Sequence, residues 1–189
     1  MINMIYETFD PEKHDINKIA KYIYDVDFRT FDMLFKSKED AVRTIARDLK
    51  KRKISPHLMA IFGDDGDLVG MLMVHTHEDS YDFRLKSLRL IIVDILDHFV
   101  LCDINEEDFY IAEIAIDESQ RGKGLGRSVI ADAISYAKSN NYKRVLIDAD
   151  FRNTGARSLY ERIGFKEFNK KRVKIGSFER GMHNMELNL

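Results

Sequence analysis

Gly122, Gly124 and Gly126 stand within five residues of one another, between an apolar run that ends at Ile116 and a helical pattern over residues 128–138. This order constrains the chain more than any other feature. A buried strand that runs into a glycine-rich turn, and from there into a helix, must present backbone N–H groups at the junction. Glycine allows those groups to turn outward without interference from a Cβ. The start of the helix adds donors that lack intrahelical partners, together with the positive end of its dipole. Such a junction suits an anion.

The flanking patterns place this junction in an α/β fold. Residues 109–116 and 144–149 read as apolar strands, and residues 128–138 and 156–162 as helices, the second ended by Gly164. Residues 165–173 and 182–187 are expected to close the sheet. Upstream, residues 2–9 suggest a first strand. Asp10-Pro11-Glu12 reads as a helix start, with Ile16, Ile19, Ile23 and Val26 as the buried stripe. Ser37 and Asp40 form the box that opens a second helix through Leu49. Residues 58–62 and 68–74 flank the turn Gly63-Asp64-Asp65-Gly66-Asp67 as a hairpin. Residues 81–101 carry Leu85, Leu88, Ile92, Ile95, Leu96 and Phe99 at helical spacing and read as an inserted helix. It packs on the sheet, covers a pocket, or makes a dimer contact. Strands and helices alternate in the second half, so the sheet is expected to be mixed and partly parallel. No internal repeat or linker interrupts the 189 residues, and the chain reads as one domain, 1–189.

Composition excludes several classes of function. A net charge of −2 argues against a nucleic-acid partner. The basic runs at residues 50–53 and 170–174 read as solvated faces, with phosphate contacts from the second still open. Cys102 is the single cysteine, which rules out an internal disulfide and a multi-thiolate zinc site. It follows Val100-Leu101 without a nucleophile motif and reads as a buried structural thiol. His75 and His77 alternate along a strand with no third ligand in the pattern, so no metal is expected; lining an acceptor pocket is the other reading. The stretch 88–101 is too short and too charged to span a bilayer. No secretory signal is apparent, and a cytoplasmic protein with no membrane partner is expected.

Two common anion loops fail at the glycine-rich junction. A P-loop needs Ser or Thr after Gly122-Lys123, where Gly124 stands, and a dinucleotide fingerprint needs Gly or Ala where Arg127 stands. What remains is Arg121-x-x-Gly124-x-Gly126. Downstream comes Asn153-Thr154-Gly155-Ala156-Arg157-Ser158-Leu159-Tyr160-Glu161, then Gly164-Phe165. Together, in this order, the two segments resemble the coenzyme A-binding elements of the GNAT N-acetyltransferases. The resemblance is close over residues 109–168 and only topological before them. It implies the acyl-CoA N-acyltransferase fold, with acetyl-CoA as cosubstrate and an amine as acceptor. Its pyrophosphate loop would be Arg121, Gly122, Lys123, Gly124, Leu125, Gly126 and Arg127. In the family the strands before the two elements splay and pantetheine lies between them. Backbone near Ile114, Ala115 and Ile116 would then pair with its amides, and Asn153, Ala156 and Tyr160 would complete the site.

Acetyl transfer from a thioester to an amine needs a base for the ammonium proton, donors for an oxyanion, and a proton or hydrogen bond for the thiolate. Tyr160 matches the family's tyrosine at the CoA sulfur. Glu113, within an apolar strand, is the candidate base, since a half-buried carboxylate is costly unless it is paired or functional. Asp148 and Asp150 are alternatives, either as base or as the site of the acceptor ammonium, and a water chain to bulk is a further one. The family's acceptor wall falls on residues 28–35, including Phe31. Polyamines, amino sugars, amino acids, antibiotics and protein N-termini all stay open as acceptors, and so does a homodimer. The alternative reading is a non-catalytic acyl-CoA-binding regulator with the same fold. A structural domain without cofactor is the third.

Overall fold

The computed structural model describes residues 4–51, 57–79, 87–176 and 178–189. Its strands are β1 (Ile5–Thr8), β2 (Leu58–Phe62), β3 (Leu68–Thr76), β4 (Asp108–Ile116), β5 (Arg144–Asp150), β6 (Lys166–Ile175) and β7 (Phe178–Asn188). The helices are α1 (Ile16–Val26), α2 (Phe28–Leu34), α3 (Lys38–Lys51), α4 (Leu88–His98), α5 (Leu125–Ser139) and α6 (Thr154–Ile163). The seven-stranded sheet has the order β1-β2-β3-β4-β5-β7-β6. It is mixed: β4 and β5 are parallel, whereas β1/β2, β2/β3, β5/β7 and β6/β7 are antiparallel. Two compact units share this chain. One is drawn from Met1–Met73, Tyr81–Val93 and Glu113–Gly126, the other from Val74–Ser80, Asp94–Ala112 and Arg127–Leu189.

In the first unit, α1 opens at Asp15, whose carboxylate accepts from the N–H groups of Asn17 and Lys18, both at 3.0 Å. The expected start at Asp10-Pro11-Glu12 is instead a turn. There Asp10 accepts from the N–H of Glu12, and its carbonyl takes those of Lys13 and His14. Both aspartates have capping chemistry, and the one that serves two orphan donors begins the helix. The buried face carries Ile19, Ala20, Tyr22 and Tyr24, while Val26, expected in the stripe, is exposed. The Ser37 box is present, its hydroxyl accepting from Asp40 N–H at 3.2 Å. Helix α2 lies within the expected acceptor wall. The core joins Ile19, Tyr24, Phe31, Phe35, Ile45, Leu58, Met71 and Ala115.

Helix α4 accounts for residues 88–98 of the expected 81–101 insertion, and 81–86 lie outside the described residues. The expected face is met only in part: Leu96 is buried and Ile92 half-buried, whereas Leu88, Ile95 and Phe99 are exposed, and the other buried positions are Leu90, Val93 and Val100. A helix this apolar has no unique stripe by periodicity, and its charged residues decide the phase. In the first unit Arg89 pairs with Asp40 at 3.1 Å and lies over the Phe35 ring. In the second, Asp97 pairs with the buried Arg180.

The second unit holds β5, β6 and β7. Arg144 forms two bonds to Asp108, each 2.8 Å, and one to Glu186, tying β4, β5 and β7 at one end. α6 is stopped at Gly164, whose φ of 116° is left-handed and whose N–H meets the carbonyls of Tyr160 and Glu161. The basic run over 170–174 is engaged in pairs: Lys170 with Glu167, Lys171 with Asp103, and Arg172 with Glu179.

Among the glycines of the first unit, Gly70 on β3 leaves the least room for a side chain: a Cβ there would stand 2.5 Å from the carbonyl oxygen of Ala115 on β4. Backbone cannot yield as a flexible side chain can. Gly70→Ala is therefore expected to destabilise the protein by about 2 kcal/mol or more, read as a lowered midpoint in chemical denaturation. A wild-type midpoint would show that this contact is not tight.

Candidate active site

The first unit carries the glycine-rich junction. β4 delivers Glu113, Ile114 and Ile116 half-buried and Ala115 buried. Asp117 follows, and its N–H donates to Val69 O at 2.8 Å. Its carboxylate then caps a single turn at Glu118–Gln120, accepting from Ser119 N–H and Oγ. Those bonds, with one from the Tyr22 hydroxyl, hold the Asp117 carboxyl well below the usual carboxylate range. Gly122 and Gly124 have φ of 78° and 84°, and a Cβ at either would meet open space. Glycine is needed there for the backbone conformation, which L-residues disfavour. Gly126 has no such φ; it lies in the first turn of α5, with Ile116 as its nearest neighbour. Arg121 stays exposed, its Nε donating to Ile116 O, and the Lys123 ammonium meets Gln120. Leu125 is buried, so only its backbone is offered to a ligand. Arg127 follows on α5, exposed. A glycine turn, exposed basic side chains and a helix start fit a pyrophosphate.

The second unit carries the other motif. The register of β4 with β5 runs from Asp108↔Arg144 to Ile111↔Ile147, while β5 continues to Asp150. Asn153 caps α6: its Oδ1 accepts from Ala156 N–H at 3.1 Å. The capped N–H of Ala156 is thereby used, while the exposed Asn153 Nδ2 makes no hydrogen bond among the described residues. Tyr160, two turns along α6, is half-buried with its ring 6.1 Å from that of Phe165. Burial, followed by the negative charge of Asp148, pushes its phenol up to about 12.

Asp148 is not the open carboxylate that the sequence suggests. It accepts from Cys102 N–H, Cys102 Sγ, the Tyr110 hydroxyl and Asn184 Nδ2, at 2.9, 3.1, 2.8 and 2.6 Å. A carboxylate has about four lone-pair positions, so an acceptor ammonium would have to displace one of these donors. Cys102 is the buried thiol expected, and burial followed by Asp148 pushes its titration upward. Phe31 is likewise corrected: it is 4% exposed and packed between Tyr24 and Phe35, which makes it core rather than pocket wall. On the same helix Phe28 and Met33 are exposed. His75 and His77 do not alternate on one strand, because β3 ends at Thr76 and His77 lies in the turn beyond it. His75 Nδ1 stands 3.5 Å from Asp79.

Sequence reasoning missed the contacts behind both motifs: Tyr22 and Lys18 at Asp117, and Tyr110 and Asn184 at Asp148. Asp117-x-Ser119 was the one local signal, an aspartate two residues before a serine at a strand end. The others join residues far apart in sequence.

The family model for the acetyltransferase (GNAT) family matches residues 20–165. The chain belongs to that family. An uncharacterised N-acetyltransferase of Methanocaldococcus jannaschii is 38% identical over 36% of this chain and 34% of that protein. A mycothiol acetyltransferase of Streptosporangium roseum is 32% identical over 30% of the chain and 17% of its own length. These matches span about a third or less of the relatives' length. The solved N-acetyltransferase from Staphylococcus aureus Mu50 superposes with a TM-score of 0.67 at 19% identity, over 97% of this chain and all of that one. A Bacillus subtilis acetyltransferase in complex with CoA superposes with a TM-score of 0.58 at 16% identity, over all of this chain and 99% of that one. At such identities the GNAT structures show the fold alone. No helix among the described residues is long and apolar enough to cross a membrane.

The cap and any ligand role of Asn153 can be separated. Asn153→Ala should cost about 1 kcal/mol of stability, whereas Asn153→Asp keeps the cap and should hold the melting temperature. If Nδ2 also meets the cofactor, both variants should lose CoA affinity, the aspartate one at unchanged stability. Equal affinity would leave Asn153 a cap only.

Proposed function

We propose that this GNAT chain, as one catalytic domain, transfers an acetyl group from acetyl-CoA to a primary amine by direct attack in a ternary complex. The observation that carries the reading is Tyr160, a half-buried phenol in the family's second motif whose proton is retained by burial and by Asp148. On this reading Arg121, Lys123 and the N–H groups around Gly122 and Gly124 hold the pyrophosphate. The backbone of Ile114 to Ile116 holds the pantetheine arm, and Glu113 takes the proton that the attacking amine loses. The cosubstrate supplies the activated acyl group: an acceptor that arrives as its ammonium loses one proton to Glu113, its nitrogen bonds to the carbonyl carbon as the carbon–sulfur bond breaks, and its second proton ends on the sulfur, so that the amide, the thiol and one proton are released.

The raised phenol changes what Tyr160 does. Complete proton transfer to a thiolate whose conjugate acid titrates near about 8.5 would be uphill by about 5 kcal/mol. Tyr160 therefore acts as a hydrogen-bond donor to the sulfur as charge develops there, and stays a phenol. A donor that strengthens only as charge appears accelerates the step without tightening ground-state binding.

Two measurements test this reading. CoA at about 100 times its dissociation constant should stabilise the protein by about 2.7 kcal/mol; no thermal shift and no calorimetric heat would remove the cofactor. An acceptor screen followed by free-thiol release then measures turnover. Tyr160→Phe should lower kcat by about 10²-fold with CoA affinity and stability nearly kept. Wild-type kcat in that variant, with chemistry rate-limiting, would remove Tyr160 from the reaction. Binding without turnover by any amine would favour an acyl-CoA-binding regulator.

A further inference from the structure

The anion loop begins at Asp117; Ser119 within the loop holds one of its carboxylate oxygens, and helix α1 holds the other. The Tyr22 hydroxyl, on a residue 2% exposed, donates to Asp117 Oδ2 at 2.8 Å and lies 3.3 Å from Leu68 O. Lys18, one turn earlier, donates to Leu68 O at 2.6 Å and stands 3.5 Å from the same carboxylate oxygen. Lys21 bridges Asp25 on its own helix and Glu118, the residue after Asp117. The second Asp117 oxygen is taken by Ser119. One carboxylate thus joins the end of β4, the turn before the glycines, and a helix some 95 residues away in sequence.

We propose that α1 braces the phosphate loop, with Tyr22 and Lys18 as positioning residues that hold the loop in its anion-binding conformation. The inference rests on the reading of this loop given under Proposed function. A loop held competent by a second element binds with its intrinsic affinity; released, it binds more weakly in proportion to the competent fraction. The brace also answers an electrostatic conflict. Asp117 and Glu118 put two carboxylates at the mouth of a loop meant for an anion, and Lys18 and Lys21 oppose them.

The test uses CoA and pantetheine, which lacks the pyrophosphate, on the whole chain. Affinities come from calorimetry, or from ligand-observed NMR where binding is weak. Tyr22→Phe keeps the buried ring and removes the bond to Asp117. CoA should bind it about tenfold more weakly, with pantetheine unchanged. Tyr24→Phe is the control: it removes a comparable bond from the same helix, 2.6 Å to Asp32, and should leave both affinities alone. Lys18→Met should weaken CoA in the same selective way and serves if Tyr22→Phe does not fold. Unchanged CoA affinity in the folded Tyr22 and Lys18 variants overturns the brace. So does an equal loss for CoA and pantetheine, which marks general damage. A wild-type protein that binds CoA no better than pantetheine overturns the pyrophosphate reading of the loop, and the brace with it.

Discussion

The second unit is organised around one half-buried charge, the Asp148 carboxylate on β5. Such a carboxylate is costly unless its oxygens are hydrogen-bonded. Here the bonds come from β4 through Tyr110, from β7 through Asn184, and from the segment after α4 through Cys102. Each donor fixes an element, so a single charge sets the registration of three. Asn184 Nδ2 also reaches Val100 O, and Lys171 reaches Leu101 O, so the same segment is held by its carbonyls. The end of the α4 insertion is consequently part of the fold of this unit rather than an appendage to it. Burial first, and then the same charge, raises the Tyr160 phenol, which links the packing of the sheet to the protonation state of the candidate donor.

Much of this arrangement was legible in the sequence, for identifiable reasons. Strands β4 and β5 and helices α5 and α6 are bounded by chemistry that acts locally: apolar runs, glycines in a left-handed turn, an Asn cap and Gly164 as the stop. Motifs defined by backbone conformation survive as residue patterns because few residues can replace them. The stripe of α4 was read only in part because seven of its eleven positions are apolar and lie on more than one face, while Arg89 and Asp97 make ion pairs with residues far along the chain. Helix α2 went unread because it is only seven residues long and Asp27 gives it no side-chain cap. Phe31 looked like pocket wall for the same reason. Its partners Tyr24 and Phe35 belong to the turns of helix before and after it, and the packing of three rings is not a local signal.

The difference between cofactor and acceptor follows from the same physics. A pyrophosphate is held largely by backbone N–H groups, so its site is written in glycines and in the helix that follows them. An acceptor amine is selected by side chains on a surface, where many residue types give similar packing and the pattern carries little information. In the first unit the exposed Phe28, Asp32 and Met33, not the buried Phe31, are α2 side chains available to such a surface.

Charge balance at the loop closes the argument. Asp117 is a stronger acid than an ordinary carboxylate because Ser119 and Tyr22 donate to its ionised form, so it remains an anion throughout the neutral range. An anion fixed beside an anion-binding turn would oppose its ligand if it stood alone. Its charge is directed instead into α1: onto the Tyr22 hydroxyl and toward the Lys18 ammonium, while Lys21 does the same for Glu118. Arg121 and Lys123 make their local contacts with a carbonyl and an amide oxygen, not with a carboxylate, so no counter-charge is paired to them there. The carboxylates thus shape the loop and the basic side chains give it its sign. α1 is what allows those two requirements to be met within seven residues of chain.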